Sequence, residues 1–229
     1  MPMSLWVKIC ANTSIEDARL AVDAGADALG FIFAPSPRRV TPEQVAAIVA
    51  GVAGPVEKIG VFVDAGLEEI VSTVRACGLT GVQLHSECGP EVAARLRAEF
   101  GAGLRILRVV HFGPEAAEQA RTYAADGNVD AVLVDSRTAT AVGGTGIAFD
   151  WAEAGRTVFG GNGPARLVAA GGLNPENVAE AIATLRPWGV DVASGVEAEP
   201  GRKDAGKVRA FVAKARGAAT LPASKGQRA

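Results

Sequence analysis

Short apolar runs rich in β-branched residues alternate along this chain with longer Ala-, Glu- and Arg-rich stretches whose apolar positions recur at helical spacing. Each pair reads as one strand–helix unit. The spacing predicts strands at Leu5–Cys10, Ala28–Phe33, Glu57–Val63, Gly81–His85, Arg105–Val110, Ala131–Asp135, Arg166–Ala170 and Val190–Ala193. Eight strands of this kind, each followed by a helix, predict an α/β chain folded as a (βα)8 TIM barrel, with a closed parallel eight-stranded sheet. Proline marks helix starts in Thr41-Pro42-Glu43, Gly89-Pro90-Glu91, Gly113-Pro114-Glu115 and Asn174-Pro175-Glu176. A doubly wound open sheet shows the same alternation, but it usually needs fewer strands and a glycine-rich turn after the first one. Cys10-Ala11-Asn12-Thr13 is not such a turn.

Two segments break the rhythm. Arg156–Pro164, with Gly160-Gly161-Asn162-Gly163, reads as a connection between helix and strand, and Gly217–Ala229 lacks an apolar face and reads as disordered. The expected organisation is a single barrel over 1–216 with a tail at 217–229. The 229 residues, 48% hydrophobic and 21% charged, suit one large core. A net charge of -2 without a long basic run argues against nucleic acid or an anionic membrane as partner and for a small molecule. Three irregularly spaced cysteines (Cys10, Cys77 and Cys88) and a start lacking the apolar core of a signal peptide predict a reduced, cytoplasmic protein.

Chemistry is expected at the carboxyl ends of the strands. Cys10 closes the first strand just before the helix-start signal Thr13-Ser14-Ile15-Glu16, where the helix N-terminus would favour thiolate over thiol; the alternative is a small buried hydrophobe. Paired glycines end the seventh and eighth units in Gly171-Gly172 and Ser194-Gly195. With a short extra helix starting near Pro200-Gly201, they would form the phosphate site common at these positions of such barrels. Gly144, in the glycine-rich loop after the sixth strand, is a candidate third anion contact. Asp135 ends that strand and should point to the mouth, for chemistry or for capping the next loop.

Period-two alternation puts Lys8 on the face of Cys10, and Asp191 on the same side of the neighbouring last strand. Asp191 is therefore either a buried partner of Lys8 or a substrate contact. Gln83 and His85 share a face of strand four and could bind a ligand, a satisfied rim histidine being the alternative. Arg38 could fork onto a carboxylate, though nothing in the spacing separates it from Arg39.

Read in order, Val7-Lys8-Ile9-Cys10, Gly30-Phe31-Ile32-Phe33 with Ser36-Pro37-Arg38, Val82-Gln83-Leu84-His85, Leu133-Val134-Asp135, Gly143-Gly144-Thr145-Gly146, Ala170-Gly171-Gly172-Leu173-Asn174-Pro175 and Val190-Asp191-Val192-Ala193-Ser194-Gly195-Val196-Glu197 resemble the phosphoribosylanthranilate isomerase family. The resemblance covers nearly the whole chain to Arg216. It implies the Amadori rearrangement of N-(5-phosphoribosyl)anthranilate in tryptophan biosynthesis, without metal or organic cofactor. Cys10 would be general base, Asp135 general acid and Arg38 the partner of the anthranilate carboxylate, in a monomer or homodimer. The family usually has glycine after the cysteine and after the histidine, where this chain has Ala11 and Ser86. Competing readings are a histidine-pathway isomerase, expected to show aspartate in place of Cys10, an indole-glycerol-phosphate synthase, and a phosphosugar-binding barrel without turnover.

Overall fold

The computed structural model describes residues 5–85, 89–135, 150–160 and 165–220. Within them the parallel strands β1 (Trp6–Ile9), β2 (Ala28–Ile32), β3 (Glu57–Phe62), β4 (Gly81–Leu84), β5 (Arg105–His111), β6 (Ala131–Asp135), β7 (Leu167–Ala170) and β8 (Gly189–Val192) close on themselves in sequence order. The helices are α1 (Ile15–Asp23), α2 (Pro42–Ala50), α3 (Leu67–Cys77), α4 (Pro90–Phe100), α5 (Ala116–Ala125), α6 (Trp151–Thr157), α7 (Val178–Leu185) and α8 (Ala205–Thr220), with a small antiparallel pair β9 (Glu197–Glu199) and β10 (Arg202–Lys203) before the last. The predicted barrel is the one observed.

Local chemistry explains most boundaries. Ser14 caps α1 by accepting from the Asp17 N–H, and Thr41 with Gln44 forms a capping box at α2 just before Pro42. Pro114 and Pro175 lie instead in turns ahead of their helices, because α5 starts at Ala116 and α7 at Val178. At α7 the Asn174 side chain accepts from the N–H groups of Glu176 and Asn177 and holds that turn. The helix expected near Pro200-Gly201 is not present. Gly201 has φ +83°, so Pro200-Gly201 turns the β9–β10 hairpin, and the short helical turn falls earlier, at Ser194–Val196. Gly217–Thr220, placed in the tail by sequence, continue α8, which docks through Val208, Phe211, Val212 and Ala215; residues 221–229 lie outside the described set.

Strand alternation makes two apolar layers. Outward residues such as Val7, Leu29, Phe31 and Leu84 pack under the helices, whereas Trp6, Ala28, Ile59, Leu107 and Leu133 fill the barrel. Amid the barrel filling Lys8 is fully buried, its Nζ donating to Asp191 Oδ1 and Gln83 Oε1, each at 2.9 Å. The register pairing Lys8 with Asp191 makes this contact possible. Burial pushes the Lys8 ammonium down, yet the charges of Asp191 and of an ionised Cys10 outweigh it and hold Lys8 above the ordinary lysine range. Lys8→Met strands the Asp191 carboxylate and should cost about 3–5 kcal/mol in a urea melt. The double variant Lys8→Met/Asp191→Leu should be more stable than Lys8→Met alone.

Candidate active site

Cys10 sits one residue past β1, its N–H still continuing the ladder to the Val192 carbonyl at 2.8 Å. The chain then turns sharply. Ala11 has φ +61° and is fully buried, and Asn12 fixes the turn by donating its Nδ2 to Ile9 O at 2.8 Å and its N–H to Gly30 O at 2.9 Å. Glycine at 30 leaves room for the thiol, since a Cβ there would stand 2.6 Å from Cys10 Sγ. Ser86, the second departure from the family pattern, lies outside the described residues.

The sequence led us to expect a thiol depressed by the start of α1. Burial instead pushes the Cys10 thiol up and outweighs the opposing pull of the Lys8 and Lys203 ammoniums, with Asp191 adding to the rise. The physical reason is position: the capped first turn of α1 begins only at Ile15, whereas the sulfur is enclosed by the barrel wall and only 5% of the residue is exposed.

Asp135 ends β6, in register with His111 of β5 and Ala170 of β7, and is 3% exposed. It stands three strands round the same rim from Cys10. Gln83 bridges core and rim. Its Oε1 takes the Lys8 ammonium, which can only donate, so its Nε2 faces His85 Nε2 at 3.3 Å and donates to it. That assignment makes His85 the tautomer with its proton on Nδ1. The His85 ring lies 5.8 Å from that of His111. Asp191 is engaged by Lys8 through Oδ1, in the buried ion pair that was one of the two roles read from sequence.

Arg38 and Arg39 part company in the fold. Arg39 is exposed, whereas Arg38 forks onto Glu197, with Nε at 2.9 Å and Nη2 at 2.6 Å from Oε2. Glu197 Oε1 also accepts from the buried Lys203 at 3.2 Å. Burial disfavours the Glu197 carboxylate, but Arg38 and Lys203 prevail and hold it below the usual range.

The glycine loops meet as expected. Gly171 and Gly172 have φ of +81° and +64°, and Asn177 ties the Gly172 carbonyl with its Nδ2 at 3.0 Å. Gly195 packs against this loop so closely that a Cβ would fall 1.9 Å from Leu173 O. Among the described residues the N–H groups of Gly171, Gly172 and Gly195 donate to no acceptor, and Ser194 beside them is exposed. These unspent donors suit an anion. Gly144 and the rest of 136–149 lie outside the described residues. A cleft of about 480 Å3 opens at the opposite end of the barrel, between Glu57, Lys58, Arg105 and Arg166, and includes none of these groups.

Sequence reasoning missed His111, Glu197 and Lys203. His111 was legible, since the alternation Leu107, Val109 runs one step further than the strand end we assigned. The other two carry no local signal, because a hairpin folding back over the rim brings them in.

A closed (βα)8 barrel with a thiol, a carboxylate and glycine-lined donors on one rim is the architecture of a phosphosugar-handling barrel. The model of the N-(5'-phosphoribosyl)anthranilate isomerase family matches residues 7–214. The chain belongs to this family. It is 44% identical over 211 residues to the isomerase of Geobacter sp. (strain M21), covering 92% of this chain and 97% of the relative, and 45% identical over 207 residues to that of Pelobacter propionicus, covering 90% and 93%. The phosphoribosylanthranilate isomerase structure from Thermotoga maritima superposes with a TM-score of 0.80 at 37% identity, covering 93% of this chain and 99% of that one. A second structure of such an isomerase, in complex with reduced 1-(o-carboxyphenylamino)-1-deoxyribulose 5-phosphate, has a TM-score of 0.78 at 34% identity over the same shares. Another from T. maritima describes monomers generated from a dimeric isomerase.

The loop packing yields a stability test. Gly195→Ala must displace the Leu173 carbonyl and should cost about 1–3 kcal/mol. Gly113→Ala, where nothing stands within 4 Å of the new Cβ, should leave the melting midpoint almost unchanged.

Proposed function

We infer that this protein catalyses the Amadori rearrangement of N-(5'-phosphoribosyl)anthranilate to 1-(o-carboxyphenylamino)-1-deoxyribulose 5-phosphate in tryptophan biosynthesis. The observation that carries the reading is a buried thiol and a buried carboxylate on one barrel rim beside glycine loops with unspent N–H donors, in a chain of this family.

The substrate is an extended polyanion with phosphate at one end and carboxylate at the other. Gly171, Gly172, Ser194 and Gly195 take the phosphate, with Gly144 as a further contact, and Arg38, oriented by Glu197, takes the carboxylate. Holding both ends places the ribose between Asp135 and Cys10, so that much of the binding energy goes into orientation. Gln83 and His85 line the wall between them, with His85 Nδ1–H as a donor to a sugar hydroxyl.

Asp135 gives its proton to the ribose ring oxygen as the C1–O bond breaks, and the anilino nitrogen lone pair forms the C1=N bond of an iminium ion. That cation acidifies the C2–H. Cys10 thiolate removes this proton, its electrons form C1=C2, and the iminium pair returns to nitrogen. The resulting enolamine loses its O–H proton and gains one at C1 to become the ketone, so atoms and electrons balance within an isomerisation. The raised thiol reduces the thiolate fraction at neutral pH but makes that thiolate a stronger base, and the two effects partly offset each other.

Cys10→Ala and Asp135→Asn should each lower kcat by at least about 10²–10⁴-fold. A bound reduced-product analogue should still be held by either variant. The assay follows anthranilate fluorescence as the phosphoribosyl adduct is generated and consumed; near-normal rates in either variant overturn the assignment, and no consumption by the folded wild type overturns the reaction.

The pH dependence follows from the raised thiol. Turnover also needs a protonated Asp135, so the thiol is followed by its own chemistry: without substrate, the rate of Cys10 alkylation should climb with pH through the neutral range and level off only above the ordinary thiol value of about 8.5. A plateau already reached at pH 7 would show a thiol that burial has not raised. For assembly, we expect a monomer or homodimer, which sedimentation distinguishes.

A further inference from the structure

Lys203 is a charged side chain for which the mechanism above has no use. It lies at the end of the β9–β10 hairpin with its side chain fully buried, and its ammonium donates to the Ala193 carbonyl and to Glu197 Oε1, both at 3.2 Å. Ala193 follows Val192, whose carbonyl accepts the Cys10 N–H, so the hairpin delivers the ammonium to the level of the sulfur. The hairpin itself is pinned over the loop after β1. Thr13 Oγ1 donates to Gly201 O, and the Lys203 N–H donates to Asp17 Oδ2 at 3.2 Å.

We propose that Lys203 is a positioning residue of this site: its ammonium, fixed over the end of β8 by Ala193 and Glu197, is the rim-side positive charge that stabilises the Cys10 thiolate. The inference rests on the reading of Cys10 as the base and names what lets it ionise.

The charged groups around the sulfur are few. Lys8 approaches from below on β1, Asp191 faces it from β8, and Lys203 comes from the hairpin. Lys203 in turn faces Glu197, Cys10 and Asp17. Asp191 is bound directly to Lys8, so much of that cation's field at the sulfur is already matched. Glu197 divides its charge between Lys203 and Arg38, which leaves Lys203 more of its own. Burial outweighs the favourable pull of Glu197 and of an ionised Cys10 and holds the Lys203 ammonium below the ordinary lysine range, so its charge depends on both partners, as a mutually dependent ion pair requires.

A purely structural lysine would staple the hairpin and do no more. The experiment separates the two roles by reading the thiol directly. The full-length protein, without substrate, is alkylated with iodoacetamide across pH 6–10, and modification at Cys10 is followed by peptide mapping beside Cys77 and Cys88. In Lys203→Gln, which can still donate to both acceptors, the midpoint for Cys10 should move up by about one pH unit, and in Lys203→Met by at least as much. Lys203→Arg should recover most of the shift. The turnover profile should follow: kcat/KM at pH 7 falls about threefold in the glutamine variant, a roughly tenfold loss of thiolate offset in part by its greater basicity, carried by kcat with KM little changed.

An unmoved alkylation midpoint in a folded neutral variant overturns the proposal. So does a failure of both neutral variants to fold while Lys203→Arg folds, since the ammonium would then serve the hairpin. A midpoint that moves while the kcat/KM profile stays fixed sustains the field of Lys203 and overturns instead the role of Cys10 as base.

Discussion

The structure turns on an ammonium with nowhere to go. Lys8 points into a closed cylinder whose wall seals it from water, and an isolated charge there would cost several kcal/mol. Asp191 and Gln83 meet it at hydrogen-bond distance, and each constrains something above. Asp191 pins the register of β8 against β1, the closing seam of the barrel. Gln83, with its oxygen committed downward, has only its amide N–H2 left for His85, so the ionic core dictates the tautomer of a histidine at the mouth. A buried ion pair contributes little net stability over an apolar filling; what it does here is fix the strand register below the mouth and turn the Gln83 amide toward His85.

The site combines opposed demands. It must receive a substrate with a phosphate and a carboxylate, yet operate a base that is itself anionic when active. On the proposed reading, spatial separation handles the first demand, with the phosphate directed to uncharged backbone donors on the β7 and β8 loops and the carboxylate to Arg38 at the β2 loop. The second is met by cations near the sulfur. Desolvation still wins in the free protein, and the thiol stays high. Brønsted logic softens the cost: a base of low occupancy recovers in strength part of what it loses in thiolate fraction.

How far the sequence revealed this depended on the range of each interaction. Strand alternation is a local signal, and it was enough to place Lys8, Cys10, Gln83, Asp135 and Asp191 on the inner face, since a period of two leaves only one alternative. Gly171, Gly172 and Gly195 were legible for a related reason: positive φ or a backbone approach too close for a Cβ leaves few other residues possible. What the sequence left open or misread depended on contacts between segments distant in sequence. Nothing near Arg38 distinguishes it from Arg39, because the partner that does so is 159 positions away. The thiol was expected to be low from its neighbours in sequence, and it is high because of neighbours in space.

Ala11 shows how such balances decide a departure from a family pattern. The turn after Cys10 requires a left-handed residue, and alanine there costs about 1–2 kcal/mol relative to a relaxed backbone. Two terms oppose that cost. A fully buried methyl contributes about 0.8 kcal/mol, and alanine in place of glycine restricts the unfolded chain by about 0.4–1 kcal/mol more. The sum lies near zero, so alanine is neither a defect nor an improvement in stability. What it changes is stiffness. With Asn12 holding Ile9 O and Gly30 O, and no glycine between it and Cys10, the loop has fewer ways to swing the sulfur away from the substrate. A β-branched residue at the same position would add crowding to the same φ and tip the balance.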